Sequence, residues 1–298
     1  MTLRDASFTL FTLLTLCAFP QQWEESDAER ERIIRNRIKN ITITSPGQVS
    51  VTSYDLRGYP VHSLTRSLDG VLQLERICDT TAQGMISVCK QRQFDPDGNV
   101  THERHTFYDA LTRPVHDLEY EDGILSELAQ YHYGDHGLTR KEVLLPDSTL
   151  IYVTEYTHDA NGHLVEDLGT TSDVDSTGQR FYYTDRTYTY RNDTTGREVE
   201  RSYIVEGKVL TRCYSTYDDN GNYVEFKVCD PDGGLRSKDE FTYDKNGNVI
   251  IISHTDGISV TGRSTKTYDN RGNTLRIINS RNGKDADVIT FAYEFYAH

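Results

Sequence analysis

Five cysteines, ten histidines and a recurrent Asp-x-x-Gly motif are the residues of this 298-residue chain with the chemistry to bridge, ligate or react. Cys78 and Cys89 lie on either side of TTAQGM, and Cys213 and Cys229 flank YDDNG, so each pair sits across one predicted hairpin. If Cys17 is removed or lipidated, four cysteines remain, an even set that in an exported chain favours disulfides over metal or redox chemistry. Bridges Cys78–Cys89 and Cys213–Cys229 are therefore expected, each contributing about 3 kcal/mol in the chain-entropy treatment; the alternative is a set of partly buried thiols. DPDGNV and YDDNGN invite a calcium reading, but an EF-hand loop needs Asp-x-Asp-x-Asp-Gly followed by a Glu six residues later, and these segments fit simple turns. The histidines of HERH (102–105) and HYGDH (132–136) match no common zinc spacing and read as solvated side chains. No nucleophile elbow, phosphate loop, His-Glu-x-x-His or Cys-x-x-Cys is present. We expect no catalytic residue, no metal and no cofactor, hence not an enzyme. Tyr217, Tyr243 and Tyr268 each precede a turn aspartate and should form a ladder. Such a stripe either packs between strands or offers aromatic platforms to sugar rings, which makes these three tyrosines the candidate ligand-binding residues.

The elements that would position these residues begin with an address. Residues 6–19, ASFTLFTLLTLCAF, form an uncharged run of signal-peptide size, with Cys17 a candidate for lipidation. An extracytoplasmic location follows, secreted, periplasmic or on the outer surface, and no later stretch is apolar enough for a membrane-spanning helix. Residues 23–39 are charged, with Ala28, Ile34 and Ile38 spaced to share a helical face. The predicted organisation is a signal over 1–19, a charged helical linker over 20–45 and a β domain over 46–298. With 32 Lys+Arg against 46 Asp+Glu the net charge is −14, which repels phosphate backbones and excludes nucleic acid as a natural partner. Mean hydropathy is −0.63, and 20 Tyr against a single Trp place much of the apolar surface in rings that tolerate a half-wet position.

From about Val51 the chain alternates short Val/Ile/Tyr/Thr-rich runs with turn punctuation. Asp-x-x-Gly occurs at Asp55–Gly58, Asp95–Gly98, Asp159–Gly162, Asp193–Gly196, Asp218–Gly221, Asp230–Gly233, Asp244–Gly247 and Asp269–Gly272. Asp at the first position bonds the backbone ahead of it, and Gly at the fourth takes the left-handed conformation that closes a hairpin. Tight pairs at Asp69-Gly70, Asp122-Gly123, Asp256-Gly257 and Asn282-Gly283 mark the alternate hairpins. Gly196 to Gly221, Gly221 to Gly247 and Gly247 to Gly272 are steps of 25, 26 and 25 residues, a period that signals a repeat array. The longer step from Gly162 to Gly196 predicts an insertion over 163–195 with a polar loop at LGTTSDVDSTGQR.

TSYDLRG, STYDDNGNYV, FTYDKNGNVI and KTYDNRGNTL resemble the YD-repeat, or RHS-repeat, family over about Tyr54 to the C-terminus. The resemblance implies a β-repeat sheet in an extracytoplasmic setting, here a small exported member without a toxin domain. The expectation is an all-β antiparallel meander of about nine units forming an elongated or curved sheet, with the helix outside it. Its expected function is a structural or binding module of the cell envelope that meets protein or carbohydrate through a long sheet face. The alternatives are carbohydrate binding on the tyrosine stripe and an enzyme sited at 163–195.

Overall fold

A computed structural model describes residues 27–297 apart from 82, 84 and 258. The signal segment, Cys17 and the start of the charged segment lie outside the described residues.

The turn chemistry is the local cause of the fold. In the turn at Asp244, the Gly247 amide donates to the Asp244 carbonyl and the Asp244 amide to the Asn248 carbonyl. Asp244 Oδ1 accepts from the amides of Asn246 and Asn248, and Oδ2 from the side-chain amide of Asn248 at 2.9 Å. The same cradle recurs at Asp95 with Asn99, Asp218 with Asn222 and Asp269 with Asn273. Arg113, His163 and Arg197 take the fifth position opposite Asp109, Asp159 and Asp193. Every such loop reverses the chain in five residues, so strands alternate in direction and pair with their neighbours in sequence.

Between the turns the described residues form twenty antiparallel strands, preceded by one helix, α1 (Asp27–Asn36). Strand β1 (Ile38–Ser45) pairs with β2 (Gln48–Tyr54) on one side and with β20 (Lys284–Phe295) on the other, Ile41 standing opposite both Thr52 and Tyr293. The sheet therefore closes on itself as a barrel. This corrects the expected open, elongated or curved meander, and with it the label of a YD- or RHS-type repeat sheet. An open sheet of this length would leave two unpaired edges, and the first and last strands remove both by pairing. The missing piece was β1, whose alternating Ile41 and Ile43 lie inside the segment assigned to a helical linker over 20–45. The helix ends at Asn36, and the barrel begins at residue 38 rather than 46.

Residues 163–195 also differ from expectation. They contain no extended polar loop: β11 (Leu164–Val174) and β12 (Arg180–Asn192) run paired from Glu166–Thr189 out to Val174–Arg180, joined by the five-residue turn 175–179. The extra length of that step is a longer hairpin. Strand parity separates the turns: those at Asp55, Asp109, Asp159, Asp193, Asp218, Asp244 and Asp269 share the rim that carries α1. Those at Asp95, Asp175 and Asp230 stand on the far rim with the tight Asp-Gly and Asn-Gly turns.

Directly opposed residues on antiparallel strands share a face. Walking the register from Thr106 through Asp117, Ala129, Val143 and Tyr152 to Thr171 follows one face across six strands. Most of the buried strand residues, among them Tyr54, Cys89, Asp117, Thr154, Arg201 and Cys213, fall on this face, the crowding expected on the concave side of a curved sheet. It is the inward face. A circuit of twenty strands encloses more space than side chains fill, and the apolar core is correspondingly local. Ile33 of α1, 1% exposed, packs with Ile38, Ile41 and Tyr54 at one rim. The helix is thus seated on the barrel and not outside it, and its buried anchor is Ile33, while Ile34 is 41% exposed. Arg32 Nη1 and Asn36 Nδ2 each donate to Asn273 Oδ1 at 2.8 Å, tying α1 to the turn between β18 (Val260–Tyr268) and β19 (Thr274–Arg281).

Candidate functional site: a tyrosine and cation wall on the inward face

The three tyrosines singled out in the sequence are braces. Tyr217 Oη donates to the carbonyl of Glu198, Tyr243 Oη to that of Tyr223 and Tyr268 Oη to that of Val249, at 3.0, 2.5 and 2.6 Å. Tyr133 and Tyr293 repeat the bond to Pro114 and Thr274. In each case the acceptor is the first residue after the preceding turn on the same rim, so one unit is locked to the next through hydroxyl and backbone. Tyr217 meets Tyr223 edge-on and carries Arg197 over its ring. The ladder of stacked rings is therefore replaced by a ladder of hydrogen bonds.

The cysteines divide. Cys78 and Cys89 stand directly opposite on β4 (Leu72–Thr80) and β5 (Ile86–Phe94) and are bridged. Cys213 stands opposite Val228, so Cys229 is one step out of register. Successive side chains alternate faces, which points Cys213 and Cys229 to opposite sides of the sheet, and they do not bridge. That corrects the second expected disulfide. Among the described residues no group of three or more His, Cys, Asp or Glu is arranged to hold a metal.

The densest chemistry lies elsewhere on the inward face, on β6 (Val100–Tyr108) through β13 (Glu198–Val205). Asp117, 1% exposed, accepts from Tyr131 Oη at 2.5 Å and pairs with Arg104. Arg104 Nε also lies 3.1 Å from Glu119, whose other oxygen meets His102 at 2.7 Å. Across two intervening strands, Tyr190 Oη donates to the buried Asp167 at 2.6 Å, and Tyr188 stacks on Tyr203 with centroids 5.0 Å apart. Burial pushes the Asp167 carboxyl above its usual range, the Tyr190 hydrogen bond opposing it. Burial also raises the Tyr131 and Tyr190 phenols well above theirs, so both remain donors at any physiological pH.

Between these clusters runs a single row of opposed residues: Tyr131, Lys141, Thr154, Gly169 and Arg186. Lys141 Nζ sits 5.4 Å from the Tyr131 ring centroid, and Arg186 lies 5.4 Å from that of Tyr152 and 5.9 Å from that of Tyr188. Burial lowers the Lys141 pKa, with the Arg104 and Arg186 charges adding to it against the pull of Asp117 and Glu119. The sequence signal for this wall was the alternation of Tyr152, Thr154 and Tyr156 and of Tyr188 and Tyr190, which places each set on one face of a strand. The turn motifs, being more regular, masked it.

No family model matches the chain, and no curated protein matches it. Among solved structures it is similar to a porin-like protein from Bacteroides uniformis, with 14% identity over 87% of this chain and 97% of the other and a TM-score of 0.35. It is also similar to a porin-like protein from Bacteroides vulgatus, with 11% identity over 86% of this chain and 98% of the other and a TM-score of 0.22. A chain of the Photorhabdus luminescens Tc holotoxin pore, in a structure carrying a TccC3 mutation, gives 14% identity over 80% of this chain but 19% of that one, with a TM-score of 0.19. The class of the fold, a closed antiparallel β-barrel, rests on the strand pairing itself.

Proposed function

We propose that this protein is an extracytoplasmic β-barrel bathed in water on both faces, acting as a binding module whose working surface is the inward wall. The observation that carries the reading is the outward face, opposite the wall. Glu75 meets His62 and Arg92 at 3.6 Å, and Arg92 Nε lies 2.5 Å from Glu103. Glu142 is flanked by Arg140 and His132 at 2.7 and 2.9 Å. Arg191, Glu200 and Arg212 form a third ladder, and Lys227–Glu225 and Lys238–Glu240 a fourth. A lipid-facing barrel surface needs a continuous apolar band, and each Arg or Lys on it costs about 2–4 kcal/mol near the midplane. Charges along this face from His62 to Glu240 require water, and the inward face carries its own buried ion pairs. The uncharged run at 6–19, of signal-peptide size, and the Cys78–Cys89 bridge support an oxidising, exported setting.

The test is partition. The chain lacking residues 1–19 should fold without detergent, and should remain unbound when floated with phosphatidylcholine vesicles through a density gradient. Co-flotation that survives high salt, or ion conductance across a planar bilayer, would overturn the reading.

A further inference from the structure

We propose that Lys141 and Arg186, with Thr154 and Gly169 between them, form a binding site on the inward wall for an acidic saccharide, one bearing carboxylate or sulfate groups. The proposal rests on the reading of the barrel as a water-filled binding module and names the ligand class of its wall.

Three observations converge. The chain holds 46 acidic residues against 32 basic ones, and between β6 and β13 the other inward arginines are paired: Arg104 has Asp117 and Glu119, Arg201 has Glu198. Among the described residues, neither Lys141 nor Arg186 makes an ion pair or a hydrogen bond; their close contacts are tyrosine rings. Arg186 Nε is buried with no hydrogen-bond partner. Carboxylates act on them only at longer range, Asp185 and Asp167 on Arg186 and Asp117 and Glu119 on Lys141, and half-buried cations without a direct pair cost stability. Both therefore keep N–H donors for an anion from outside.

The second observation is Gly169. Glycine inside a strand weakens it by loss of packing and gain of chain entropy, and Gly169 has no positive φ to justify it. Space justifies it: a Cβ there would stand 2.5 Å from Tyr152 Oη, 2.7 Å from Asp185 Oδ1 and 3.0 Å from Arg186 Cγ. The residue is small so that Tyr152 and Arg186 can lie across the strand, which marks the arrangement as built.

The third is geometry. Lys141 and Arg186 are separated by the two strands that carry Thr154 and Gly169, about 14 Å at the ordinary strand spacing. That matches an extended ligand of two or three sugar rings, with tyrosine edges and hydroxyls around it to meet C–H faces and ring hydroxyls. An acidic peptide fits less well. Peptides gain affinity on sheets by adding a strand to an open edge, and the closed barrel offers none.

The experiment titrates the detergent-free barrel by calorimetry with trigalacturonate and with a sulfated heparin hexasaccharide, which distinguish carboxylate from sulfate. Neutral maltotriose and a hexaglutamate peptide serve as contrasts. Lys141→Met and Arg186→Gln should each weaken binding of the preferred acidic saccharide at least tenfold, and Lys141→Arg should retain it. Each of the first two variants should also melt at or above the wild-type temperature, because a charge without a direct ion pair leaves a half-buried site. A merely structural pair would melt lower. Failure of both acidic probes to bind, equal binding of maltotriose, or tighter binding of the peptide overturns the site. Vesicle flotation reads the barrel's solvation independently, so a lost site and a membrane-inserted barrel give different results.

Discussion

Tyr268 at the end of β18 donates its hydroxyl to the carbonyl of Val249 at 2.6 Å, so the turn at 269–273 is held to the turn at 244–248 by one side chain. Removing only the oxygen isolates that brace. Tyr268→Phe should cost about 1 kcal/mol, the usual net worth of a hydrogen bond whose acceptor can recruit water, read from the midpoint of urea unfolding. Tyr182→Phe, at a residue 52% exposed with no bond of this kind, should leave the midpoint in place. Equal midpoints for the two variants would remove the hydroxyl ladder as a source of stability.

Two glycines should fail differently when a methyl group is added. Gly247 has φ +82° and nothing within 4 Å of the position a methyl group would take, so Gly247→Ala suffers only backbone strain, about 1 kcal/mol. Gly169 has ordinary backbone and crowded neighbours, so Gly169→Ala must displace Tyr152 and Arg186. Both should unfold earlier than wild type. Only Gly169→Ala should alter the near-ultraviolet tyrosine spectrum of the folded state, and an unchanged spectrum would deny that the glycine makes room for these side chains.

Much of the local fold was legible because its causes are local. Asp244, Gly247 and Asn248 set one turn through bonds within five residues, and alternation within each run set the strands. Closure was not legible, since it depends on Ile41 meeting Tyr293 across 252 positions, and nothing in a period of 25 distinguishes an array that ends from one that meets its own beginning. The charged helix obscured β1 for a related reason: IKNITITS reads as strand only once the residues before it are known to stop at Asn36. The Lys141 and Arg186 row required three successive registers, and a bulge between Gly169 and Thr170 shifts the count on the way. The Cys213–Cys229 pairing failed by a one-residue slip of the same kind.

Peptide mapping reads that register directly. Under non-reducing, denaturing conditions, peptides containing Cys213 and Cys229 should accept a thiol label, while those containing Cys78 and Cys89 should be recovered as one linked species. Reduction should then lower stability by about 3 kcal/mol for a loop of this size. A linked Cys213–Cys229 species would mean that β14 (Lys208–Tyr217) and β15 (Tyr223–Cys229) slip by one residue, reversing the face of every side chain on one of them.

Acid should act on this barrel through two opposed sets of carboxyls. Asp218 and Asp244 are held below the usual carboxylate range by the side-chain amides of Asn222 and Asn248, with backbone amides adding to the effect. A folded pKa below the unfolded one gives stability that is present above the unfolded value, near pH 4, and lost as pH falls through the folded one. Asp167 and Glu198 have pKa values raised by burial. Their ionised forms disfavour the folded state at neutral pH, and the penalty is relieved as pH falls through their folded values. Thermal stability should therefore rise slightly from neutral pH toward about pH 5, then drop below about pH 4 as the turn aspartates protonate. Asp167→Asn should shrink the rise, leaving the share of Glu198, and keep the drop, because the amide carries no charge to relieve. Asp244→Asn should shrink the drop while lowering stability at pH 7. A melting temperature that stays flat down to about pH 2.5 would show that the aspartate cradles do not contribute through their charge.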